Sequence, residues 1–251
     1  MSAVAQAAML VSFPVAAGAI GSTVAAVRRP GPRLVSGIQH FAAGVVIAAL
    51  AGELLPDLRH EGNLGWAAAG FTVGVGLVLS LAAYGRRLDG RQEIALRSPA
   101  ADRVAIAVPV GLLATVAIDL LIDGMLVGLG TQLGSTEALI LTIALTLEIL
   151  FLSLSLAAEL NDRGLPARRA ALICTALGLC TAVGAITAAA LFSGVGPAVL
   201  AFVLAFGAAA LLYLAVEELL VEAHEQTETT LLSAMFFAGF LAIYVLAELG
   251  G

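Results

Sequence analysis

Ala, Val, Leu, Ile and Phe gather into eight long runs, separated by short stretches where Gly, Pro and charged residues collect. Most runs hold about 20 residues or more, and at 1.5 Å per residue that length crosses a hydrocarbon layer roughly 30 Å thick. The pattern predicts spans at about 4–27, 34–58, 64–84, 104–130, 136–160, 170–191, 197–221 and 230–249, forming a single transmembrane domain over residues 1–251. The expected fold class is all-α, a polytopic membrane bundle of eight transmembrane helices. The longest connection, about 85–103, is polar and arginine-rich, and is expected to be a mobile cytoplasmic loop. The first run lacks a basic leader and carries Arg28 and Arg29 after its apolar stretch, so it reads as a retained span and not as a secretory signal.

Composition agrees with lipid as the main solvent. The chain is 61% apolar and 12% charged, whereas soluble domains are roughly 45–50% apolar and about 25% charged. Cys174 and Cys180 are six residues apart in one predicted helix, on different faces, so no disulfide is expected between them. A net charge of −6 says little about soluble partners, because several of the acids lie inside apolar runs.

Arginine sets the expected orientation, since the chain has no lysine. Arg28, Arg29 and Arg33 fall in or beside the first connection; Arg86, Arg87, Arg91, Arg97 and Arg103 in or beside the third; Arg163, Arg168 and Arg169 in the fifth. Only Arg59 falls on the other side. This bias places the odd-numbered connections in the cytoplasm and both termini outside, with the cell (inner) membrane as the expected location. Glu53-Leu-Leu-Pro-Asp57 ends the second run and Glu218-Leu-Leu-Val-Glu222 ends the seventh. These two runs cross the membrane in opposite directions, as an inverted repeat requires.

Acids inside the runs carry the chemistry. A carboxylate at the centre of a spanning helix costs about 2.5–3.5 kcal/mol even on insertion scales, so it needs a reason to be there. Asp119 and Asp123 lie four residues apart near the middle of the fourth run, on one helical face. Glu148 lies near the middle of the fifth and can meet them at the same depth. With no basic residue at that depth, the three must be protonated, hydrated or bound to cations. Converging oxygen ligands suit a divalent ion that has shed water; the competing reading is protonated acids bonded to neighbouring helices. Glu53 with Asp57, and Glu218 with Glu222, form further stacked pairs near the outer and inner ends of their runs, which suggests an entrance and an exit. Glu217 adjoins Glu218 but points about 100° away on an α-helix. His224, followed by Glu225 and Glu228, is weighed as a metal ligand at the cytoplasmic mouth against a solvated loop, and the loop is preferred.

Those residues resemble the ZIP family of divalent-metal transporters. The stretch from Phe41 to Asp57 is similar to that family's second helix, and Leu212 to Leu220 to its seventh. The family's fourth-helix motif His-Asn-x-Pro-Glu-Gly becomes Asp119-Leu-Leu-Ile-Asp123-Gly124, and a fifth-helix His-Glu-x-Pro-type motif becomes Leu147-Glu148-Ile-Leu150. The resemblance thus implies a divergent member without the motif histidines, in a 3+2+3 inverted-repeat bundle. It implies Asp119, Asp123, Glu148 and Glu218 as metal positions; Glu53 is expected as a further metal residue guarding the outer side, and the positions of Asp57, Glu217, Glu222 and His224 near the ends of their runs place them along the pathway.

The function expected is secondary transport of divalent cations, zinc or a harder ion such as manganese or iron, through a mid-membrane carboxylate site. The metal is substrate; no fixed cofactor is expected. The alternative keeps the carboxylates and makes their cation a proton. An enzyme is not expected, since neither a His-Glu-x-x-His helix nor a serine with a nearby base is present. Partners would be metal ions and lipid, with room for a homodimer and no nucleic acid.

Overall fold

The computed structural model of the protein describes residues 2–28, 31–60, 63–96, 109–224 and 229–250. Among these residues every regular element is helical, and eight helices are long and apolar enough to cross a membrane. We number them by span. Helix α1 is Ala3–Val27; α2 comprises Pro32–Ala49, a π-helical turn Leu50–Leu54 and Leu55–His60; α3 is Leu64–Leu96; α4 is Val110–Leu133. Helix α5 is Ser135–Asp162 and α6 is Ala167–Leu191. Helix α7 comprises Pro197–Tyr213, a π-helical turn Leu214–Leu219 and Leu220–Ala223, and α8 is Thr230–Gly250.

Helix α3 continues to Leu96, which corrects the expected loop from residue 85 onward. The run Arg86-Arg-Leu-Asp-Gly-Arg-Gln-Glu-Ile-Ala-Leu96 is polar enough to leave the bilayer, yet it is built mainly of good helix formers. Polarity moved the segment out of lipid without ending the helix. The expected start of the fourth span at 104 falls outside the described residues.

Two symmetry-related devices organise the bundle. Helices α2 and α7 both open on Gly-Pro, with the proline in the first helical turn, where its missing N–H costs nothing. Glu53 and Glu218 each lie 21 residues beyond that proline, in the two π-helical turns. There the backbone bonds widen, from Leu55 N–H to Leu50 O and from Leu220 N–H to Ala215 O. Such turns add one residue to a helical circuit and recur at functional positions. The packing follows the same exchange: α1 against α5 mirrors α6 against α4, α2 against α8 mirrors α7 against α3, and α1 meets α6. An inverted repeat of α1–α3 and α6–α8 around the pair α4 and α5 generates this set of contacts.

Small residues allow the closest approaches, as expected where lipid supplies little drive for helix association and packing must provide it. A Cβ on Gly124 of α4 would overlap the Thr181 carbonyl of α6, and one on Gly184 of α6 would overlap the Leu121 carbonyl of α4. The contact is thus reciprocal and lies beside Asp123. The outermost helices, α3 and α8, present Val73, Leu79, Phe237 and Leu241 outward, as lipid-facing surface does. Cys174 and Cys180 are both free thiols.

Because Gly124 touches backbone, no side-chain rotation can accommodate a substituent there. Gly124→Ala is expected to lower stability by about 1–3 kcal/mol, the usual cost of overpacking. Thermal unfolding in detergent reads this as a lowered midpoint, and an unchanged midpoint would contradict the packing described.

Candidate metal centre

Helices α4 and α5 are joined by the single residue Gly134, so they run antiparallel as neighbours. Counting from that turn, Asp123 lies 11 residues back, Asp119 15 back and Glu148 14 forward. At 1.5 Å per residue Glu148 comes level with Asp119, with Asp123 about one turn away. Their ligand oxygens accordingly lie within 4.8 Å of one another. Asp123 is 1% and Glu148 0% exposed, while Asp119 is half-buried.

Three carboxylates this close cannot all stay ionised unaided. At 4.8 Å and an effective dielectric near 20, each charged pair repels by roughly 3.5 kcal/mol. The sequence places no lysine or arginine in the middle of either helix. The arrangement therefore invites a positive ion or protons into the cluster, and its donors are oxygen only.

Access to the cluster differs on its two sides. Asp119 opens into a cavity of about 250 Å³, whose polar lining includes Thr115, Ser155, Glu159 and Glu217. A smaller space of about 20 Å³, room for one water, lies against Glu148, Gln39 and Ser155. Ser155 and Leu152 border both spaces. The larger one extends along α5 to Glu159, whose Oε1 accepts from Arg163 Nη2 at 2.7 Å. That end of the bundle is the arginine-rich one. Toward the opposite end, Leu54, Leu126, Leu129, Leu141, Leu145 and Leu204 are all less than 2% exposed and belong to one apolar cluster.

The other expected site residues distribute as follows. Glu53 is part-buried on the π-helical turn of α2 and does not join the three-carboxylate cluster. Glu217 is exposed and borders the cavity below Asp119. The side chains of Glu218, Asp57 and Glu222 lie outside the described residues, as do Glu225 and Glu228. His224 stands at the end of α7 with its ring 5.0 Å from that of His40. Sequence reading passed over Gln39, Thr115 and His40, none of which has a supporting pattern along the chain. The only available signal was their shared helical end, and it needs the tertiary fold to be read.

Eight apolar helices around a buried, oxygen-only carboxylate cluster define a polytopic membrane transporter. Residues 97–247 match the family model described as ZIP Zinc transporter, which is more than half of the chain, and the chain belongs to that family. The family moves divalent metal ions, so this protein is a metal transporter and not an enzyme. No curated protein matches the chain.

Proposed function

We propose that the protein carries divalent cations through Asp119, Asp123 and Glu148, which bind the ion in turn from either side of the membrane. The observation that carries this reading is the convergence of the three acids within 4.8 Å, with Asp119 bordering a polar cavity. Two of them come from one helix and one from its neighbour, so a small displacement between α4 and α5 would loosen the site. Glu53 is assigned to the far side of the buried leucines, and Glu218 to the near side, completing the ligand set. Glu217 lines the exit.

The arginine bias supports an orientation with the cavity opening to the cytoplasm and both termini outside, in the cell membrane. In that orientation the fold is closed outward by the buried leucines and open inward, and flux is inward. Exchange to the opposite state would be accommodated at the two π-helical turns, where the backbone bonding of α2 and α7 is already altered.

Oxygen-only donors shift selectivity toward harder ions. Imidazole suits zinc, copper, iron and nickel, whereas carboxylate, carbonyl and water suit manganese, magnesium and calcium. Manganese is therefore the preferred cargo, with zinc carried less well.

Asp123→Asn keeps the side-chain shape and removes the charge. Manganese uptake into proteoliposomes is expected to fall by at least about 10–100-fold, since loss of even an outer-shell partner of a metal ligand costs that much. Uptake at the wild-type rate would refute the assignment. In competition assays zinc is expected to inhibit the uptake of labelled manganese less well than unlabelled manganese does; the reverse order would contradict the selectivity argument.

A further inference from the structure

The two imidazoles at the arginine-rich end of the bundle belong to neither the carboxylate cluster nor its cavities. His40 is 3% exposed on α2, and His224 is exposed at the end of α7. They lie 184 positions apart in sequence, yet their ring centres are 5.0 Å apart with planes inclined at 48°. Each ring is fixed by its own helix. His40 Nδ1 lies 2.9 Å from the Ser36 carbonyl, and His224 Nδ1 bonds the Leu220 carbonyl. A carbonyl only accepts, so both Nδ1 atoms carry hydrogen and Nε2 is the basic nitrogen of each neutral ring. The helices are pinned at the same point, where Ser36 Oγ donates to the Ala223 carbonyl at 2.6 Å.

That is the arrangement of metal-ligating histidines, in which one nitrogen donates to a backbone carbonyl and the other faces the ion. The spacing fits as well. Two imidazoles on one tetrahedral ion, with metal–nitrogen bonds of about 2.0–2.1 Å, hold their ring centres roughly 5 Å apart. We propose that His40 and His224 form a second cation site, one that takes a borderline ion such as zinc through two Nε2 atoms.

Two protein ligands make a weak, exchangeable site, which suits a waypoint better than a permanent store. Gln39, the neighbour of His40, borders the small space against Glu148, so the pair follows the carboxylates along α2. Its role as a waypoint rests on the transport reading; its capacity to bind metal does not. The two sites also differ in donor class, nitrogen here and oxygen at the centre, so an ion could be held differently at each.

The test uses the full chain in detergent with the central acids removed, Asp119→Asn, Asp123→Asn and Glu148→Gln, titrated with zinc and examined by X-ray absorption. One bound zinc per chain with two imidazole nitrogens is expected. Adding His224→Ala, a change at an exposed position, should weaken binding at least about tenfold and remove the imidazole signature; His40→Gln should do the same. His60 remains in every variant, so any signal it contributes stays constant. No zinc bound at millimolar concentration, or an imidazole signature that survives His224→Ala, would overturn the proposal. Failure here leaves manganese uptake through the carboxylates intact, whereas failure of the transport reading leaves this spectrum intact, so the two are separable.

Discussion

Mutual repulsion among three carboxylates on two helices whose middles carry no lysine or arginine is the constraint around which this bundle is arranged. Each acid alone could be neutralised by a proton and tolerated. Bringing the oxygens of all three within 4.8 Å makes the cluster a strong attractor for positive charge. Buried leucines toward one end of the bundle and the close contact of α4 with α6 lower the local dielectric and increase that attraction, while the cavity at Asp119 leaves a polar approach to the cluster. A cation is the simplest partner such a site can have, and membership of a metal-transporter family agrees with it.

The scaffold holds this constraint in place through packing of small residues. Gly124 and Gly184 let α4 and α6 meet backbone to backbone directly beside Asp123. The one-residue turn at Gly134 fixes α5 against α4 at the register that levels Glu148 with Asp119. The inverted repeat then supplies two equivalent helices, α2 and α7, that each contain a π-helical turn and an acid. Rigid pairs flanked by altered turns are a reasonable basis for a bundle that must close on alternate sides of a fixed site.

Much of this was legible along the chain. Span length and apolar content gave eight helices because lipid imposes one length on all of them. Asp119 and Asp123 announced a shared face through their spacing of four, and Glu148 followed from its depth. The helical extension of α3 to Leu96 was hidden because polarity reports on solvent, whereas helix formation there follows backbone propensity. The π-helical turns have no sequence signature, though the matched acids of α2 and α7 hinted at equivalence. The meeting of His40 with His224 depends on two helices distant in sequence crossing at one end, which local pattern cannot report.

The all-carboxylate donor set of the central cluster gives the account its chemical direction. An oxygen-only centre and a nitrogen pair near the arginine-rich end divide the donor types that other sites combine. Equilibrium titration of the purified protein with manganese, compared between wild type and Glu148→Gln, tests the central claim most directly. The account predicts one manganese per chain in the wild type and its loss in the variant. Equal manganese binding by both would contradict it.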